Sequence, residues 1–259
     1  MLYTATQGSE SSRLSCARAA FAASVAANRE AGDRIAASLD QIEGAVAVQR
    51  RIVRQGDLLY QAGKAFTHLF VVNTGMFKVV NFSRDGREQI VGLKYRGDWL
   101  GFDGISEGLH ECDAVALDTG EVWSISYDAL LLAGARAPVL MGEVHRAMSR
   151  ESARDRGSLM SVCTLPADAR VADFLCNWAG ALASRGLRTD QVTLRMSRAE
   201  IGNYLGLTLE TVSRAMSRFN REGLIGFADK GRRELHLPDV DALSEFVRTA
   251  TEPGPLVLQ

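Results

Sequence analysis

Residues 197–222 read SRAEIGNYLGLTLETVSRAMSRFNRE, and this stretch decides the fold of the C-terminal part of the chain. Ser197 followed by Glu200 is a capping box, so a helix is expected to begin there. Gly206 provides the permissive backbone that a tight turn needs, and Thr208 can cap a second helix directly after it. The stretch therefore predicts two short helices joined by a turn.

The second of these helices has an apolar face and a basic, polar face. Val212, Met216 and Phe219 recur at helical spacing and are expected to be buried. Three side chains of the other face suit base edges in the major groove of DNA: Glu210, Ser213 and Arg214. A guanidinium can pair with guanine through two hydrogen bonds, a carboxylate can accept from the cytosine amine, and serine makes a short contact. The pattern predicts a DNA-reading helix over 208–221; a solvated amphipathic pair of helices is the alternative.

The residues around this unit are also basic. From Arg170 to His236, eleven Lys or Arg stand against seven Asp or Glu, whereas the whole chain has a formal net charge of -1. An apolar stretch after Gly223 and an alternating stretch from Glu234 to Leu237 flank a basic turn, which predicts a hairpin wing. Eight residues are expected to lie near DNA phosphates: Arg198, Thr208, Ser217, Arg218, Arg221, Lys230, Arg232 and Arg233.

The chain upstream of this unit predicts a second domain. The 259 residues, 46% of them hydrophobic, suffice for two cores. Short β-rich runs separated by glycines predict an antiparallel β-roll. The expected fold class is α+β with five segments: an N-terminal extension at 1–45, the roll at 46–128, a long dimerisation helix at 129–163, a winged helix-turn-helix domain at 164–249 and a tail at 250–259.

The two ends of the chain carry weaker signals. The run ARAAFAASVAA at 17–27 favours a helix without a strong apolar stripe, so the extension could pack on the roll or stay mobile. A last helix is expected over 239–248, with disorder after Val247. No apolar run approaches the roughly 18 residues that cross a bilayer, and no signal-peptide pattern opens the chain. We therefore expect a cytoplasmic protein with no membrane partner.

The helix after the roll carries a seam of residues at alternating spacings of four and three: Met141, His145, Met148, Ser152, Asp155, Leu159 and Val162. Such a seam is typical of a coiled coil and predicts a homodimer, which also suits a DNA site made of two half-sites. Asp155 would approach its own symmetry mate unless Arg154 or Arg156 neutralises it. We hypothesise that the dimer is marginal; in the alternative, the seam splays and leaves Asp155 in water.

A glycine-rich segment at 97–127 lies between strands of the roll, where a small effector could contact backbone amides; simple roll corners are the alternative. The same segment places His110 beside Glu111, a pair that could ligate a metal in a β-roll enzyme. Adjacent residues of a strand point to opposite faces, and no Ser-His-Asp, P-loop or GxGxxG signature occurs. We expect no metal site, no cofactor and no catalysis.

From about Val53 to Leu237 the chain resembles the cyclic-AMP receptor protein/FNR family of bacterial transcription regulators, and the FNR branch in particular. Four motifs carry the resemblance: GDLLYQAG at 56–63, SRDGREQIVGL at 83–93, GDWLGFDGI at 97–105 and MSRAEIGNYLGLTLETVSR at 196–214. The resemblance implies that Glu210, Ser213 and Arg214 read a TTGAT-like half-site repeated as a palindrome. It also implies an activator that contacts RNA polymerase, for which the turn at Asp85 and Gly86 is a candidate.

Two cofactors of that family match this chain poorly. An FNR-type [4Fe-4S] cluster needs four thiolates, whereas the region before the roll offers only Cys16, and Trp123 stands where the fourth ligand is expected. Cyclic AMP is held in that family by an Arg-Ser or Arg-Thr pair. Residues 110–113 read HECD here, and their two acids would repel an anion.

Two modes of regulation follow: control by abundance, ranked first, and a thiol switch at Cys112, ranked second. Neighbouring carboxylates oppose thiolate formation at Cys112, while an imidazolium at His110 would favour it. Cys163 and Cys176 are expected to be packing residues. A haem is a further alternative, bound through one of three histidines: His68, His110 or His145.

Overall fold

The computed structural model describes residues 7–228 and 233–251, with side chains from residue 26 onward. The chain begins with one long helix, α1 (Gln7–Ala45). Leu39 and Ile42 of this helix are buried in a core that includes Leu69 and Trp99 of the roll. Of the two alternatives for the extension, the structure therefore shows packing on the roll at the C-terminal end of α1.

Eight strands follow α1: β1 (Gln49–Val53), β2 (Leu58–Tyr60), β3 (His68–Thr74), β4 (Phe77–Phe82), β5 (Glu88–Lys94), β6 (Trp99–Leu100), β7 (Asp113–Ala116) and β8 (Gly120–Ser126). They form two four-stranded antiparallel sheets, with strand orders β1-β8-β3-β6 and β2-β7-β4-β5. Buried side chains of both sheets, among them Val72 and Phe77, share one core. The predicted antiparallel roll is confirmed.

The segment after the roll is two helices rather than the single helix expected over 129–163. Helices α2 (Tyr127–Arg136) and α3 (Pro138–Thr164) meet at Ala137, whose φ of -129° and ψ of 81° are not helical. Pro138 causes the break because its ring has no amide hydrogen to donate and disfavours the helical conformation of the residue before it. The same fixed φ suits Pro138 to the first position of α3.

The described residues of the C-terminal domain form four helices and three strands: α4 (Ala167–Ala183), β9 (Gln191–Thr193), α5 (Arg198–Leu205), α6 (Leu209–Arg221), β10 (Gly226–Phe227), β11 (Glu234–His236) and α7 (Val240–Thr251). The strands form a sheet of order β10-β11-β9, so the predicted hairpin is present and β9 is a third strand that was not predicted. Helix α7 continues four residues past Val247, where disorder was expected, and residues 252–259 lie outside the described part.

The roll and the C-terminal domain share a core. Met76, Val80 and Ile90 of the roll belong to the same cluster of buried side chains as Phe174 and Trp178 of α4. The C-terminal domain is therefore packed directly on the roll. Across the described residues, no helix combines the length and the apolar character needed to cross a membrane.

Candidate DNA interface

The first helix of the helix-turn-helix, α5, begins at a complete capping box. Ser197 N donates to Glu200 Oε2 at 2.8 Å, and Glu200 N donates to Ser197 Oγ at 3.2 Å. Gly206 ends the helix with a φ of 65°, the left-handed conformation that the predicted turn requires. A Cβ atom on Gly202 would lie 2.7 Å from the main-chain oxygen of Leu207, so the turn packs tightly against the helix.

Gly202→Ala is expected to lower the free energy of unfolding by about 1–3 kcal/mol, because the added methyl group overpacks the turn. Urea unfolding followed by circular dichroism measures this change. Gly180→Ala is the matched control: Gly180 is an exposed helical glycine of the same domain, and a Cβ there meets nothing within 4 Å. This control is expected to stabilise by about 0.5–1 kcal/mol. Equal effects of the two substitutions would contradict the steric explanation.

The second helix, α6, is capped by Thr208, whose Oγ1 accepts a hydrogen bond from Thr211 N at 3.2 Å. Val212, Met216 and Phe219 are buried, as their spacing predicted. The opposite face of α6 is consequently turned to solvent.

The three predicted base-reading residues lie together on the N-terminal half of α6. Glu210 and Arg214 are exposed, and Ser213 is half-buried. Hydrogen bonds from its own backbone amide and from the Thr208 hydroxyl lower the pKa of the Glu210 carboxyl, so Glu210 is an ionised acceptor at neutral pH. Arg214 Nη2 lies 3.4 Å from Thr211 Oγ1. The helix thus presents an acceptor and a planar fork of donors one turn apart.

The predicted phosphate-contacting residues of the helix pair occupy different surroundings. Arg221 is exposed and Ser217 half-buried on the outer face of α6. Arg198 is half-buried, with its Cζ 5.7 Å from the ring centroid of Phe227 in β10. Arg198 therefore lies where the first helix meets the wing.

Arg218 is held by its own domain, which the sequence did not predict. Its guanidinium forms ion pairs with Asp168 and Glu222, each at 2.8 Å, and lies over the ring of Phe246. A phosphate contact at Arg218 stays a prediction, and it has to compete with these two carboxylates.

Three of the predicted phosphate contacts were assigned to the wing: Lys230, Arg232 and Arg233. Arg233 is exposed next to β11. The other two, Lys230 and Arg232, lie outside the described residues.

Helix α5 rests on the β4–β5 hairpin of the roll through polar contacts that the sequence did not reveal. Lys78 Nζ lies 2.8 Å from Glu200 Oε1, so Glu200 serves both the capping box and the roll. Asn203 Oδ1 accepts from Ile90 N at 2.6 Å, and Asn203 Nδ2 donates to Glu88 O at 2.9 Å. These contacts fix the helix-turn-helix relative to the roll.

A buried charge cluster, formed by Asp98, Arg154 and Arg185, connects the roll, α3 and the end of α4. Arg154 donates to both Asp98 oxygens at 2.9 and 2.8 Å, and Arg185 Nη2 donates to Asp98 Oδ2 at 2.8 Å. Asp98 and Arg185 are 6% and 9% exposed, so this pair is largely shielded from water, whereas the Arg154 side chain is 44% exposed. No local sequence pattern indicates this cluster, because Arg154 and Arg185 are 56 and 87 residues from Asp98 along the chain.

The predicted seam residues of α3 lie mainly on its open side. His145, Met148, Ser152, Asp155 and Leu159 are exposed, and Met141 is half-buried against the roll core. Neither of the two arginines that could have neutralised Asp155 pairs with it in the described part of the chain. Arg154 binds Asp98, and Arg156 Nη1 donates to Ser152 Oγ at 2.7 Å.

The glycine-rich segment of the roll is filled by its own side chains around His110. The imidazole stacks on Tyr60 with ring centroids 4.0 Å apart, and burial lowers the pKa of His110. Asp103 Oδ2 accepts from the backbone amides of Glu111 and Cys112 at 2.9 and 3.2 Å. His110 is buried and Glu111 exposed, although both precede β7 rather than lying in a strand. Two of the backbone amides that an effector could have contacted, those of Glu111 and Cys112, are thus occupied.

The cysteines differ from expectation at one position. Cys112 is buried, and burial together with the nearby carboxylates of Asp103 and Glu111 raises the pKa of its thiol to about 12. Cys176 is half-buried against the core, as a packing residue should be. Cys163 is exposed, so its prediction as a packing residue is wrong.

Two of the histidines considered as haem ligands are at least partly accessible. His68 is half-buried and His145 is exposed on α3.

The candidate contact with RNA polymerase is also accessible. Asp85 and Gly86 form the exposed turn between β4 and β5, where Asp85 pairs with Arg87 at 2.8 Å.

Comparison with known proteins agrees with both domains. A cyclic nucleotide-binding domain model matches residues 50–133, and a Crp-like helix-turn-helix domain model matches residues 169–246. The transcriptional regulatory protein btr of Bordetella pertussis is 38% identical over 77% of this chain and 82% of its own length. The fumarate and nitrate reduction regulatory protein of Escherichia coli is 33% identical over 80% of this chain and 82% of its own.

A solved structure shows the same architecture. FixK2 from Bradyrhizobium japonicum is 26% identical, with a TM-score of 0.69, over 77% of this chain and 97% of its own. The curated relatives named above are regulators rather than enzymes. By its roll, its helix-turn-helix and these matches, the chain belongs to the cyclic-AMP receptor protein/FNR family of DNA-binding transcription regulators.

Proposed function

We propose that the chain is a homodimeric, cytoplasmic activator that reads a TTGAT-like half-site repeated as a palindrome. The observation that carries this proposal is the joint presentation of Glu210, Ser213 and Arg214 at the N-terminal part of α6, the part of a recognition helix that meets base edges. The Glu-x-x-Ser-Arg pattern resembles the FNR reader, and this resemblance is the basis of the proposed half-site.

The phosphate contacts are proposed for cations and hydroxyls around this reader: Arg198, Thr208, Ser217, Arg218, Arg221, Lys230, Arg232 and Arg233. Such contacts orient a protein on the duplex without specifying sequence. Arg221 is the most direct test among them, because it is exposed on the same helix as the reader.

Dimerisation is proposed through the exposed seam of α3. Leu140, Val144 and Ala147 are buried against the chain's own core, which leaves Met148 and Leu159 exposed on another face. Exposed apolar side chains at heptad-like spacing are the pattern that a partner helix covers. Asp155 lies among them, and no arginine in the described part of the chain forms an ion pair with it.

Asp155→Ala is expected to tighten the dimer by about tenfold, because it removes two like charges that face each other across the two-fold axis. Sedimentation equilibrium measures the monomer–dimer constant. Asp33→Ala, at an exposed acid on α1, is the control and should leave it unchanged. An unchanged monomer–dimer constant in Asp155→Ala would contradict the hypothesis that Asp155 weakens the dimer.

The exposed turn at Asp85 and Gly86 is the proposed contact with RNA polymerase. It lies at the tip of the β4–β5 hairpin, and the first residues of β5 after this turn, Glu88 and Ile90, hold α5. A contact there would connect the polymerase to the domain that holds the DNA.

The residues present do not fit two groups that the family uses. Of the four cysteines, one lies before the roll, and the other three lie in the roll, at the end of α3 and in α4. At the roll position of the fourth cluster ligand, Trp123 is buried and donates to Glu121 at 2.8 Å. For a cyclic nucleotide, Asp103 already holds two backbone amides of the glycine-rich segment. We propose that neither group controls the protein.

Control by abundance remains the first proposal for regulation. The raised pKa of the Cys112 thiol keeps it protonated at neutral pH, and a protonated, buried thiol reacts slowly with oxidants. Loss of DNA binding on mild oxidation, prevented by Cys112→Ser, would reverse this order.

The proposal is tested by titrating aerobically purified, metal-free protein against a fluorescent TTGAT/ATCAA duplex and a scrambled duplex, with and without reductant. Selective binding in both conditions is the expected result. Binding that requires reductant would favour thiol control. Equal affinity for the two duplexes would overturn the proposed half-site, and no binding at moderate salt would show that an effector is required.

A further inference from the structure

A cleft of about 920 Å³ lies where α1, α3 and α4 meet the β5–β6 turn of the roll. Its volume falls within the range of small-molecule sites, about 300–1,000 Å³. It is lined by residues between 31 and 42 of α1, 93 and 98 of the roll, 143 and 162 of α3, and 173 and 185 of α4, and by Tyr204 and Leu205 of α5. The proposed base-reading residues do not line it.

The cleft carries an excess of positive charge. Three acids line it, Asp98, Glu143 and Asp173, against six arginines: Arg34, Arg96, Arg146, Arg150, Arg154 and Arg185. Arg154 and Arg185 bind Asp98, and Arg146 binds Glu143 at 2.5 Å. Asp173 accepts a hydrogen bond from Ser161.

Three guanidiniums are left over: Arg34, Arg96 and Arg150. None of them has a carboxylate partner in the described part of the chain. Guanidiniums without a carboxylate partner favour an anionic ligand, because their donors form charge-assisted hydrogen bonds with it.

The same cleft has apolar and aromatic walls. Ile35 and Leu39 of α1 face it on one side, and Phe174 and Trp178 of α4 on the other. Tyr95 of the roll lies edge-on to Trp178, with ring centroids 6.1 Å apart. A ligand that fills this space therefore needs an apolar body as well as a charge.

Two helices that border the cleft each carry a glycine at its wall. Gly157 of α3 and Gly180 of α4 line the cleft, and a Cβ on either would meet nothing within 4 Å. Glycine inside a helix is less stable than alanine, so both helices leave the cleft open at a cost in their own stability. Gly157 is also about 200° around α3 from Asp155, so this wall of the cleft lies away from most of the proposed seam, and Val162 alone belongs to both.

We propose that this cleft binds an organic anion with an aromatic or other apolar body. The arginines without a carboxylate partner hold the anionic group, and the half-buried side chains of Ile35, Tyr95 and Tyr204 contact the body. This site goes beyond DNA reading, and its occupancy does not depend on the proposed half-site.

The test uses the fluorescent probe 8-anilinonaphthalene-1-sulfonate, an aromatic anion, on the full chain, with calorimetry for stoichiometry. One dye per chain is expected. Gly180→Leu, which fills the cleft, and Arg150→Gln, which removes a charge, should each weaken binding at least about tenfold. The matched control is Gly44→Leu, because Gly44 is a helical glycine with equally open space that lies outside the cleft.

Equal dye affinity in wild type, Gly180→Leu and Arg150→Gln would overturn the site. A dye Kd above about 1 mM for the wild type would also overturn it. Displacement of the dye by an equal concentration of inorganic phosphate would overturn the need for an apolar body. The duplex titration on the same samples is a separate readout. Dye binding without selective duplex binding would therefore contradict only the proposed half-site. Selective duplex binding without dye binding would contradict only the proposed cleft site.

Discussion

Asp98→Ala is expected to lower the free energy of unfolding by about 3–5 kcal/mol, because it leaves a buried arginine without its counter-ion. Asp98 accepts three hydrogen bonds from Arg154 and Arg185, and Arg185 is only 9% exposed. Removing the carboxylate keeps the desolvation cost of the Arg185 guanidinium and removes the attraction that offsets it. Because the cluster connects the roll, α3 and α4, the loss should also loosen the two domains from each other.

A second interdomain ion pair provides the control for this prediction. Arg195 of the C-terminal domain pairs with Asp118 of the roll at 3.0 Å, but both side chains are well exposed, at 47% and 31%. Asp118→Ala should therefore cost no more than about 1 kcal/mol. Thermal and urea unfolding at one protein concentration compare the two variants. Equal losses of unfolding free energy in the two variants would show that burial does not explain the contribution of Asp98 to stability.

The same cluster sets a dependence on pH. Burial alone would raise the pKa of Asp98, but the hydrogen bonds of Arg154 and the charge of Arg185 outweigh it and hold the pKa below its ordinary value. A carboxyl with a lowered pKa stabilises the fold above its unfolded pKa, about 3.9, and this contribution is lost as the pH falls through the folded pKa. The difference between wild type and Asp98→Ala should therefore shrink only below about pH 4.

The helix-turn-helix was predictable because its signals are local. The Ser197–Glu200 capping box, the left-handed Gly206 and the Thr208 cap each act within four residues, so the sequence contains the whole interaction. Turn glycines of the roll, such as Gly56 and Gly75, were predictable for the same reason: each has the positive φ that a turn favours. Local rules of this kind do not depend on the rest of the fold.

The contacts between the parts could not be predicted, because they depend on which surfaces the fold brings together. Nothing near Asp98 in the sequence indicates Arg185, and nothing near Lys78 indicates Glu200. The break at Pro138 is a different case, because a proline within a helical pattern is a local signal. Pro138 could have been used to predict that one helix ends before it and another begins there. The exposed Cys163 shows the reverse error, in which an apolar residue type was assumed to be buried.

Arg214→Ala is expected to weaken binding to the palindromic duplex by at least about thirtyfold while changing affinity for the scrambled duplex much less. A bidentate contact between arginine and guanine discriminates by about 1–3 kcal/mol, and a dimer makes it twice. Arg214 is exposed one turn after Glu210 on α6, so both side chains can reach neighbouring base edges of one half-site. Fluorescence anisotropy with both duplexes at fixed salt measures the ratio.

Arg221→Ala is the comparison that separates reading from charge, because Arg221 is an exposed arginine on the same helix and differs mainly in position. As a phosphate contact it should weaken both duplexes by the same factor and reduce the slope of log affinity against log salt by about one per site. If Arg214→Ala behaved in this way too, Arg214 would be a phosphate contact, and the reader would have to lie elsewhere on α6. A selective loss in Arg214→Ala beside a uniform loss in Arg221→Ala would assign the two arginines of one helix to two different tasks, one chemical recognition of bases and the other attraction to the backbone.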